Sequence, residues 1–104
     1  MTMHELKLNS VFFDAVANGF KTFEVRKDDR GFKVGDTLLL KEIEFPGEGK
    51  LSPTINYTGR QCVAAVSYIL THDDFPNGIA EGYVVMGIVL RNQETVHATA
   101  EMAS

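Results

Sequence analysis

The chain has 104 residues, a net charge of −4, 44% hydrophobic and 23% charged residues, and a single cysteine. That size and balance describe one domain with a core of its own, and exclude a protein coated in positive charge. No basic stretch followed by an apolar run opens the sequence, and the longest apolar run, Tyr83 to Leu90, is far below the roughly 20 residues a membrane helix needs. A lone Cys62 makes no internal disulfide and points to a reducing cytoplasm.

His4 to Leu8 alternates, with Leu6 and Leu8 apolar, and predicts a short strand. Asn9-Ser10 offers a helix cap, because a short side-chain oxygen accepts from the free amides of a first turn. Phe12, Phe13, Ala15, Val16 and Ala17 form an apolar stripe, and Asn18-Gly19 a stop, so a helix is expected over 10–18. Thr22 to Arg26 is rich in β-formers. Strand alternation sends Phe23 and Val25 to the core, and Thr22, Glu24 and Arg26 to the opposite, polar face.

Asp28-Asp29-Arg30-Gly31 is a turn signal, Phe32 and Val34 are apolar anchors, and Gly35-Asp36 turns into the next strand. Residues 37–43 carry Leu38-Leu39-Leu40 and read as a strand buried on both faces. Residues 44–56 read as a loop or wide hairpin, and Tyr57-Thr58-Gly59-Arg60 as a turn. Gln61 to Leu70 is a long strand. Residues 71–82 are irregular, with room for one helical turn near Phe75, and Tyr83 to Arg91 is the last strand. Residues 92–104 are polar, a mobile tail or weak helix. The expected architecture is therefore α+β, mostly β: a domain over residues 1–91, built as a small, mostly antiparallel β-barrel with one short N-terminal helix.

Charge is unevenly spread. Lys21, Arg26, Lys27, Arg30 and Lys33 are half of all Lys and Arg, so residues 21–33 carry +2 and the remainder −6. A local basic segment on an acidic body suits an anion site. Arginine forks at 26 and 30 suit phosphate, and Lys21 and Lys27 add point charges. Glu24 among them either positions Arg26 or Lys21, or accepts a proton from a bound base or water. The alternative is a purely structural Glu24–Arg26 ion pair. Tyr57 and Tyr83 either stack on a base or serve the core and rim. His4, His72 and His97 lack metal-ligand spacing, Cys62 sits in a core strand, and His72-Asp73-Asp74 reads as a solvated turn rather than a cation loop, so no metal and no cofactor are expected.

The stretches His4-Glu5-Leu6-Lys7, Phe13 to Gly19, Lys21 to Arg30, Val34-Gly35-Asp36, Tyr57 to Arg60 and Gly82 to Met86 together resemble the ASCH domain family, a branch of the PUA-like β-barrels, and most closely its small stand-alone bacterial and phage members. The resemblance implies a barrel whose cleft is lined by the Lys21–Arg30 segment, and a role in binding RNA or a nucleotide-like ligand through Lys21, Glu24, Arg26, Lys27 and Arg30. One ASCH branch deacetylates acetylcytidine with a lysine matching Lys21 and a threonine nucleophile where this chain has Glu24. A carboxylate cannot replace that hydroxyl, so that activity is not carried over. That branch also uses a later glutamate, for which Glu42 and Glu81 are the candidates. A small amidohydrolase acting on an acylated nucleoside, with Lys21 as the activating or stabilising amine and Glu24 or another carboxylate as the base, stands as the alternative. A role in protein interaction is the third.

Overall fold

The computed structural model describes residues 1–45 and 55–91. Its elements are β1 (Met3–Asn9), α1 (Ser10–Ala17), β2 (Phe23–Lys27), β3 (Thr37–Glu44), β4 (Asn56–Thr71) and β5 (Tyr83–Leu90). They form one five-stranded sheet in the order β1-β3-β4-β5-β2. β1 runs parallel to β3, and the other three pairings are antiparallel. The predicted order of elements therefore holds.

The core lies on the concave face. Strand alternation delivers Leu6 and Leu8 from β1, Leu38 and Leu40 from β3, Ala64 and Val66 from β4, and Val84, Met86 and Ile88 from β5. Leu39 is only partly buried, so β3 has one fully buried face rather than the two expected. Eight residues are too few for a stable free helix. α1 exists because Phe13 and Val16 are sealed against the core. Its start is capped as expected, the Val11 amide donating to Asn9 Oδ1 at 3.0 Å. At its end Gly19 takes φ +81°, which an L side chain resists.

Two further local expectations are corrected. Tyr57–Arg60 is not a turn but the first part of β4, with Gly59 at φ +97° absorbing an irregularity in the pairing with β3. Residues 71–82 are irregular, as expected, with hydrogen-bonded turns at Phe75, the Ile79 amide donating to the Phe75 carbonyl at 2.8 Å. Phe32 is buried as an anchor, but Val34 is exposed. The tail expected over 92–104, and most of the loop expected over 44–56, lie outside the described residues.

The fourth correction concerns β2. β2 is inverted relative to its hydrophobic pattern. Phe23 and Val25 are 46% and 55% exposed, and Glu24 is 3% exposed. The cause is the register with β5, which sets Glu24 opposite Met86 and Arg26 opposite Val84, both inward-facing residues. A one-residue slip would exchange the faces. The inversion is tolerated because the buried acid is met by two cations, which offset its desolvation.

The barrel is also incomplete. β1 and β2 end the sheet and do not pair with each other among the described residues, so the sheet is a curled half-barrel. Arginine side chains cross the gap instead. Arg26 Nη2 donates to the Lys7 carbonyl at 2.9 Å, and Arg30 Nη1 to the Glu5 carbonyl at 3.1 Å. Two free carbonyls of an edge strand are thereby satisfied without a neighbouring strand.

Candidate nucleotide site

The gap between β1 and β2 opens into a cavity of about 500 Å³. One side is Lys7, Leu8 and Asn9 of β1, with Phe12 of α1. The other is Lys21 and the β2 residues Phe23 to Arg26. A volume in this range is that of a small-molecule site.

Glu24 is the acid of the cavity. Lys21 Nζ donates to its Oε2 at 3.2 Å, and Arg26 Nε to its Oε1 at 3.0 Å. Lys21 is held in turn by the Phe23 carbonyl at 2.8 Å. Its ammonium stands 4.8 Å from the Phe23 ring centroid and 5.4 Å from that of Phe12. The chain reaches this arrangement because β2 begins only at Phe23. Lys21 precedes the pleated segment and is free to curl over the strand's first turn.

Lys21, Glu24 and Arg26 thus converge on one cavity. Lys27 and Arg30 do not line it. Lys27 is exposed at the end of β2, and Arg30 is occupied with the Glu5 carbonyl and with Asp29 at 3.6 Å. Tyr57 and Tyr83 border other depressions, Tyr57 lying under the Lys41 ammonium. The rings beside the acid are Phe12 and Phe23. Sequence reasoning assigned both to the apolar pattern. The signal that could have marked Phe23 was its place between Lys21 and Glu24.

Two further buried acids are fully engaged elsewhere. Glu42 accepts from Thr58 Oγ1 at 2.6 Å and from Arg60 Nε and Nη2 at 2.8 and 2.9 Å. Arg60 also reaches Asp14 at 3.1 Å and lies over the Phe13 ring, tying α1 to the sheet. The Arg60 bonds hold the Glu42 carboxyl below its ordinary value, against burial, and Glu42 holds the Arg60 guanidinium above its own. Asp36 accepts from His4 Nε2 at 2.8 Å and from the Lys33 amide at 3.0 Å, and the His4 bond is the main cause of its lowered pKa. His4 is therefore a structural histidine, its ring edge-on to Phe32. His72 Nδ1 donates to the Ile79 carbonyl at 2.7 Å, and His97 lies outside the described residues. No cluster of three metal-ligating side chains forms among the described residues. Burial pushes the Cys62 thiol up to about 11, with the Glu24 carboxylate adding to the effect. None of the described helices is long and apolar enough to cross a membrane.

A strand-rich half-barrel with a buried, doubly cation-bonded acid at its open seam is the class of domain this chain represents. The chain belongs to the family described as Domain of unknown function (DUF3850), whose profile matches residues 3–88. It is also similar to the "Uncharacterized 12.9 kDa protein in GpA 3'region" of Escherichia phage P2, with 50% identity over 40 residues. That match covers 38% of this chain and 37% of the phage protein.

Proposed function

We propose that this domain binds RNA or a nucleotide-like ligand in the seam between β1 and β2. The observation that carries the reading is Glu24, an acid 3% exposed at a cavity of about 500 Å³ and bonded there to both Lys21 and Arg26. A polar triad within mostly apolar walls matches the make-up of small-ligand sites. Phe12 and Phe23 present half-exposed rings on which a base can stack. Lys7 at the cavity and Lys27 at the end of β2 are exposed cations that suit flanking phosphates. The resemblance to ASCH domains of the PUA-like group supports the same reading, and a cytoplasmic setting belongs to it.

Fluorescence anisotropy of a labelled single-stranded RNA at two salt concentrations tests this. The affinity is expected to fall with a log–log slope of about −0.7 for each phosphate neutralised. Affinity indifferent to salt would reject the phosphate contacts.

The second reading is hydrolysis of an acylated nucleoside. What favours it is the Lys21–Glu24 contact of 3.2 Å inside a ligand-sized cavity. Glu42 and Glu81 border other depressions, so neither offers the cavity a second acid. Incubation with a panel of acylated nucleosides separates the two readings. Turnover abolished by Lys21→Ala in a folded protein supports catalysis, and no turnover on any member leaves binding.

A further inference from the structure

The donors and acceptors of the cavity have a definite order. Lys21 commits two of its three ammonium protons, to the Phe23 carbonyl and to Glu24, and the third has no acceptor among the described residues. Arg26 commits Nε to Glu24 and Nη2 to the Lys7 carbonyl, with Nη2 also 3.0 Å from Glu24 Oε1, while its Nη1 protons have no acceptor among the described residues. Glu24 lies between them. Each of its oxygens receives one of the two cations, and a carboxylate offers about four lone-pair positions, so accepting capacity is left over. The sequence across the triad is donor, acceptor, donor.

Resting on the nucleotide reading above, we infer that this triad selects a pyrimidine imide, the carbonyl–N3–H–carbonyl edge of uracil. That edge is acceptor, donor, acceptor, the complement of Lys21, Glu24 and Arg26. The other bases fail at a nameable group. Cytosine and adenine turn an amino donor toward one of the cations. Guanine matches with its carbonyl and ring N–H, but its own amino group then faces the second cation. A buried donor set against a donor leaves both unsatisfied, which is how polar sites reject near-isosteres most strongly. Phe12 and Phe23 add stacking that every base shares, so the discrimination falls to the triad. A methyl at C5 lies away from the imide edge and is accepted.

Binding of UMP, CMP, AMP and GMP to the intact protein, measured by calorimetry, tests the inference. UMP is expected to bind about tenfold tighter or better than the other three. N3-methyl-UMP, which lacks the imide proton, is expected to lose at least about tenfold, and 5-methyl-UMP to bind as UMP does. Four nucleotides of equal affinity, or N3-methyl-UMP binding as well as UMP, would overturn the imide assignment and leave nucleotide binding standing. No binding by any nucleotide would overturn both. The Glu24→Gln variant is expected to erase the preference for UMP while retaining weak, base-independent binding. The methylated ligand makes the same test on the unaltered protein, so the answer does not depend on that variant's folding.

Discussion

Removing the two arginines that span the seam should have unequal effects. Arg26 is 22% exposed and serves a buried acceptor, Glu24, as well as the Lys7 carbonyl. Truncating one partner of a fully buried ion pair costs about 3–5 kcal/mol, because the other charge is left uncompensated. Lys21 remains on Glu24, and Arg26 is partly open to water, so Arg26→Ala is expected to cost less, about 2–3 kcal/mol. Arg30 is 43% exposed, and its bond to the Glu5 carbonyl competes with solvent. Arg30→Ala is expected to cost about 0.5 kcal/mol. The assay is urea unfolding at neutral pH, where the midpoint should shift and the slope should not. An Arg26→Ala loss below about 0.5 kcal/mol, or equal losses for the two variants, would refute the view that Arg26 neutralises a buried acid.

Other outcomes follow from the same geometry. Asp36 and Glu42 have folded pKa values below their ordinary 3.8 and 4.5, so the stability they add is fully present above those values and is lost as pH falls through the lower folded ones. Acid titration of the unfolding midpoint should show this loss, and Glu42→Gln should make it shallower; an unchanged profile would contradict the Glu42–Arg60 assignment. The Cys62 thiol, buried and pushed up to about 11, should resist alkylation at about pH 8 in the native protein and react at once in denaturant. Phe12→Ala and Phe23→Ala should each weaken RNA binding by about 1–3 kcal/mol if the rings stack on a base, whereas Tyr57→Ala should leave it unchanged.

The order of elements was legible because it is written locally. Leu6 and Leu8 alternate, Asn9 caps, Gly19 stops, and Val84, Met86 and Ile88 mark one face of a strand. What was not legible depends on pairing. Nothing within Phe23 to Lys27 shows that its register with β5 turns Glu24 inward; alternation alone predicts the reverse, because the stabilising cations are not part of the apolar pattern. Gly59 looked like a turn because the Glu42 bonds to Thr58 and Arg60 join residues 16 and 18 apart. The His4–Asp36 bond spans 32 residues and needs the parallel β1–β3 register to exist. For the site, the gathering of Lys21, Glu24 and Arg26 was visible as a charge cluster. The dispersal of Lys27 and Arg30 was not, since it depends on where β1 lies.

An amide-resolved NMR titration of the protein with UMP asks most directly whether the seam between β1 and β2 carries a ligand site. Shifts are expected at Phe12, Lys21, Phe23 and Glu24, with Tyr57 and Arg60 unmoved. Saturating UMP that moves none of the four, or that moves only residues around Tyr57 and Arg60, would contradict the account.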